Sequence, residues 1–165
     1  MSQAPPAHTR PSRELHDVCQ AGVELLELAW EGFRTQDREP FRRAPTLPPR
    51  GQRGDDSGPE AFVPLHVEQV ARGVDAVMAV VGTMIDEGTP FTDRAVREVN
   101  SLFERALELL ECARDAVMTE NRILLRHILE RGRQVSLLAD DYALAHQQRL
   151  EAGVCLPRAS TIYLA

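Results

Sequence analysis

Val63, Val67, Val70, Val74, Val77, Val81 and Met84 follow one another at steps of four and three. That spacing lines one face of an α-helix and cannot line one face of a strand, whose faces alternate every residue. Three other runs repeat it. Leu15, Val18, Cys19, Gly22, Leu25, Leu26, Ala29 and Phe33 form a stripe within Arg13 to about Gln36. Ala95, Val99, Leu102, Ala106, Leu109 and Ala113 do so from about Thr92 to Met118, and Leu125, Ile128, Gly132, Val135, Ala139, Tyr142, His146 and Arg149 from Asn121 to about Ala152. No segment shows strand alternation. The sequence therefore predicts an all-α antiparallel helical bundle, since an amphipathic helix must bury its stripe against another.

The punctuation sets the boundaries. Residues 1–12 contain Pro5, Pro6 and Pro11 and read as a disordered N-terminus, followed by the first bundle helix over 13–36. Residues 37–60 form a Pro/Gly/Arg-rich linker that no helix continues through. Residues 61–165 make the main bundle, with a helix from about Glu60 to Asp86 stopped at Gly88. Thr92, Asp93 and Asn121 suit helix starts, and Gly153 suits an end. Pro157 suits the first turn of a last helix, incomplete at Ala165. An ELLE run recurs at Glu24–Glu27 and Glu108–Glu111, which suggests two related halves.

Composition narrows the function. The 165 residues are 43% hydrophobic and 27% charged, a globular balance. All 19 basic residues are arginine. A chain without lysine has no lysine nucleophile, no Schiff base and no P-loop. The bias itself points to coding preference in a GC-rich bacterium. A net charge of −6 argues against nucleic acid as partner. Cys19, Cys112 and Cys155 are odd in number and far apart, so they read as reduced thiols in a cytoplasmic protein. Cys155, in a turn, is the one expected to be accessible. No signal peptide and no membrane span are expected. Between residues 38 and 53, Arg38, Arg42, Arg43, Arg50 and Arg53 face only Glu39, either as a tether to an anionic surface such as the cytoplasmic face of the membrane, or as solvated charges.

No catalytic constellation and no cofactor-binding residues are expected. His127 and Glu130 stand at i, i+3 in the order opposite to the Glu-x-x-His pattern of bundle metal sites. His146 falls on the buried side of its helix, where a hydrogen-bonded core histidine is the plainer account. A divalent metal held by Glu68, His127, Glu130 and His146 would need ligands from two helices to converge.

The run from His146 to Cys155 has the form H-x-x-R-L-x-x-G-x-C. It resembles the last full helix and turn of the PhoU-like domain on the cytosolic tail of sodium/phosphate cotransporter-related proteins. Ser160 to Leu164 looks like the start of that family's final helix. Phe91 to Glu111 is similar to the first helix of a second PhoU repeat, Leu15 to Phe33 to that of the first, and Leu65 to Val70 to the first repeat's third helix. The resemblance implies three-helix repeats, a role in phosphate uptake and phosphate-starvation signalling, and contacts with a phosphate transporter or sensor kinase. It also implies a metal at an acidic E/D-x-x-x-D motif. Glu68 matches the first acid of that motif and Arg72 stands at the second. The expected activity is regulation by protein contacts, without catalysis. The alternatives are a metal-binding bundle and a self-associating structural module or cotransporter fragment. An incomplete bundle leaves an apolar face that a second copy would cover, so a homo-oligomer is expected.

Overall fold

A computed structural model describes residues 10–45, 63–119 and 121–164. The protein is an all-α bundle. Among the described residues it has five helices, α1 (Arg10–Thr35), α2 (Val63–Glu87), α3 (Asp93–Thr119), α4 (Arg122–Glu151) and α5 (Pro157–Tyr163), with a 3-10 turn at Glu39–Arg43 and no strand.

The helix ends follow from local chemistry. Thr92 caps α3, its hydroxyl accepting the Ala95 N–H at 3.3 Å. Asn121 caps α4 by accepting from Ile123 and Leu124. Gly88 and Gly153 take left-handed φ values of 56° and 71°. Just beyond them Thr89 N–H reaches Met84 O and Val154 N–H reaches Arg149 O, closing both helices. α1 begins at Arg10, so residues 10–12 are helical rather than part of the disordered N-terminus expected for 1–12. Pro11 permits this because the first turn of a helix needs no N–H from it. Residues 1–9 lie outside the described residues.

α1 is the central element and packs on both α2 and α3. Against α3 it runs antiparallel: Gln20 bonds Arg114 and Trp30 bonds Asn100. Against α2 it runs parallel: Gly22 lies beside Val74, and Gln36 beside Met84. Parallel neighbours need a long connection, which the chain between α1 and α2 supplies. Leu26, Ala29, Phe33, Val81, Met84 and Phe103 form the buried centre. Burying a Phe or Met side chain of this kind stabilises by about 1.5–3 kcal/mol. Trp30 stacks on Phe103, centroids 6.1 Å apart, and donates its indole N–H to Asn100 Oδ1 at 2.6 Å.

The linker expected over 37–60 is irregular only in part. Residues 46–62 lie outside the described residues, but Glu39–Arg43 is a docked 3-10 turn. Pro40 is buried, and Phe41 packs against the core. The turn fits because Gly32 and Gly82 leave room. A Cβ on Gly32 would stand 2.7 Å from Phe41 Cε1, and one on Gly82 2.7 Å from Arg38 Nη2. Arg38 pairs with Asp86 at 2.6 Å, Arg43 with Glu31 at 2.8 Å, and Arg42 with Glu39 at 3.0 Å. Three of the five linker arginines are thus occupied within the chain, while Arg50 and Arg53 lie outside the described residues.

α4 lies on the outer side of α3 and runs antiparallel to it, Arg131 standing near Glu108 and Arg149 near Glu98. α5 then turns back across α4 and α2. Leu125, expected on the packed stripe of α4, faces solvent. Among the described residues no helix is long and apolar enough to cross a membrane.

Candidate functional site: a buried polar latch

The residues of the H-x-x-R-L-x-x-G-x-C run meet where α3, α4 and α5 join. His146 and Arg149 stand one helical turn apart, so both point off the same face of α4. Gly153 turns the chain, and Cys155 is tucked in behind it, buried rather than accessible. Pro157 starts α5, whose Ser160 and Tyr163 come back over α4, again one turn apart.

Glu98 of α3 is the acceptor at the centre. Its side chain is 7% exposed. Arg149 holds it with two bonds, Nη1 to Oε1 at 3.1 Å and Nη2 to Oε2 at 2.7 Å. Tyr163 donates its hydroxyl to Oε2 at 2.6 Å, and Arg94 its Nε–H to Oε1 at 2.9 Å. Burial raises the Glu98 pKa, but the bonds from Arg149, Tyr163 and Arg94 outweigh it and leave the carboxyl below its usual value. Burial and the bond to Glu98 push the Tyr163 phenol up, so it stays a donor.

His146 is 1% exposed and stacks on Tyr163, ring centroids 4.1 Å apart at 15°. Its Nε2 lies 2.8 Å from Ser160 Oγ, and Ser160 donates to Leu156 O at 3.3 Å. The tautomer of His146 sets which of Nε2 and Oγ donates in the shorter contact. Among the described residues no acid bonds Nδ1, so the ring lacks the orienting partner of a serine–histidine–acid triad. Burial and the neighbouring Arg149 lower the His146 pKa against the pull of Glu98, which keeps the imidazole neutral.

The residues considered for a metal are dispersed. Glu68 lies on α2 with Arg72 at 3.7 Å. His127 approaches Glu108 at 3.8 Å, a carboxylate that Arg131 shares at the same distance. Glu130 is exposed, and His146 has turned inward to Ser160. Among the described residues no three His, Cys, Asp or Glu side chains are grouped to hold a metal ion. Among the described residues Glu68, His127, Glu130 and His146 are therefore not brought together at one point. His127 and Glu130 project from the half of α4 away from the latch, and Glu68 is on a helix that packs on α1 instead.

Glu98 and Tyr163 were not singled out by sequence reasoning. A signal existed, because Glu98 follows Ala95 by three and so interrupts the apolar stripe of α3, as His146 and Arg149 interrupt that of α4. Beyond the latch, an apolar groove of about 360 Å³ opens between α2 and α3, bordered by Val77, Val80, Leu102, Ala106 and Ile162. Comparison with protein-family models, curated proteins and solved structures finds no match for this chain.

Proposed function

We propose that this chain is a non-enzymatic regulatory module of PhoU-like type. It acts in the cytoplasm by contacts with a phosphate transporter or a sensor kinase. One observation carries the reading: the residues of the resembling run do joint architectural work. His146, Arg149, Gly153, Cys155, Ser160 and Tyr163 shape one helix-turn-helix joint. A family signature made of such residues specifies a fold rather than a reaction. Regulation by contact suits a molecule whose His146, Arg149 and Glu98 side chains are turned inward, while its apolar groove and outer helix face lie open.

Affinity capture of the tagged full chain from cells shifted between high and low phosphate tests the proposal. Recovery of a phosphate-transport or sensor-kinase component in at least one condition is expected. Recovery of neither in both conditions, with the bait folded and abundant, overturns it.

A further inference from the structure

We propose that the outward face of α4 is the seat of a second copy of this chain, docked antiparallel about a two-fold axis beside Ser136 and Leu137. α4 has 30 residues, a length of about 45 Å. α3 covers one side of it and α5 its C-terminal end. The opposite side carries Arg122, Arg126, Leu129, Arg133, Leu137, Asp140, Leu144 and Glu151 at steps that keep them on one face. All are exposed, with Leu129, Leu137 and Leu144 at 69%, 64% and 57%.

The order of residues on this face is self-complementary. About a point between 136 and 137, Arg122 reflects onto Glu151, Leu129 onto Leu144, and Arg133 onto Asp140. A two-fold interface pairs residue i with j and j with i, so one sequence must supply both halves of every contact. Here it does so twice for charge and once for leucine. Among these residues positive charge fills the first half and negative charge the second, with the exposed Glu130 at the edge of the basic half.

No ion pair among the described residues accounts for that order. Arg122, Arg126, Arg133 and Asp140 have no ion-pair partner among the described residues. The arrangement also opposes the helix dipole, which favours acids near the N-terminus and bases near the C-terminus. An antiparallel second copy reverses both penalties, setting basic half against acidic half and dipole against dipole. The assignment to a second copy, rather than to an unrelated partner, rests on the mirrored order. It does not depend on the regulatory reading above.

Sedimentation equilibrium of the purified full chain across the micromolar range tests this. A monomer–dimer equilibrium is expected, weakening as salt rises. Arg133→Asp and Asp140→Arg each set like charges opposite one another, and each weakens the dimer at least about tenfold. The double variant restores opposite charges and recovers most of the affinity. Leu137→Glu, which leaves the charge pairs intact, also dissociates the dimer. All three positions are on the surface, so unchanged helical circular dichroism shows that the variants fold. A monomer at every concentration overturns the proposal. So does a dimer indifferent to the single swaps, or a double variant no better than the singles. Capture of a transporter or kinase by the Arg133→Asp variant would leave the regulatory reading standing on its own.

Discussion

Arg149 grips Glu98 with both terminal nitrogens, at 3.1 and 2.7 Å, across the joint between α4 and α3. The pair is nearly closed off from water, the two side chains being 13% and 7% exposed. It differs in kind from the contacts near the other end of α4, where His127 and Arg131 share the half-exposed Glu108 at 3.8 Å. α4 is therefore held firmly at its C-terminal end and lightly at its start.

Removing one member of this pair strands the other. Arg149→Met leaves a buried carboxylate with Tyr163 and Arg94 alone, and a loss of about 3–5 kcal/mol is expected. Glu98→Leu together with Arg149→Met should cost clearly less than the sum of the two single changes, because no charge is left unpaired. Urea unfolding followed by circular dichroism measures all three. Additive losses would refute the coupling.

Acid should loosen the latch in two stages. His146 has a lowered pKa in the fold, so just below the ordinary histidine value of about 6.5 the unfolded chain binds the extra proton and the folded one does not. Its contribution to stability is therefore full above that value and falls as pH drops towards the folded pKa. Glu98 also has a lowered pKa. Its contribution is present above the unfolded carboxylate value of about 4.3 and is lost as pH falls through the folded one. Thermal melts between pH 8 and pH 3 of the parent, His146→Gln and Glu98→Gln chains separate the stages. A His146→Gln chain that keeps the upper slope would sink the first assignment.

Two glycine substitutions should act with opposite sign. Gly32→Ala drives a methyl group to 2.7 Å from Phe41 Cε1 and 3.2 Å from the Asp37 carbonyl, part of it unyielding backbone. A loss of about 1–3 kcal/mol follows from such overpacking. Gly73→Ala in mid-α2 meets nothing within 4 Å. It should stabilise by about 0.5–1 kcal/mol through helix propensity. Denaturant midpoints decide, and equal signs would contradict the docking of the 3-10 turn on α1.

Thiol chemistry offers a probe of the core. Burial, against a weaker pull from Arg114, pushes the Cys19 thiol up to about 11, and Cys155 is buried under the α4–α5 turn. Both should react slowly with a thiol reagent at pH 8 in the folded chain and quickly in urea. Mass mapping after a short pulse reads each site. Rapid labelling of Cys19 in the folded chain would contradict its place at the α1 interface.

The helical class, five helices and most of their ends could be read from periodicity and from Thr92, Asn121, Gly88, Gly153 and Pro157, because 3.6-residue patterning and caps are local. The 3-10 turn was missed, since Pro40 and Phe41 look like linker until the gaps at Gly32 and Gly82 receive them. Leu125 was misplaced because a wide amphipathic stripe does not say which edge of it the neighbour covers.

By itself the sequence determined which residues form helices and that those helices must share apolar faces. It also marked His146 and Arg149 as polar residues on a packed stripe. Only the tertiary structure decided that α1 runs parallel to α2, that Glu98 is the partner of Arg149, and that Glu68, His127 and His146 stay apart. The reason is physical. Helix formation depends on neighbours three and four positions away, whereas a latch joining residues 98, 149 and 163 exists only after packing brings three helices together.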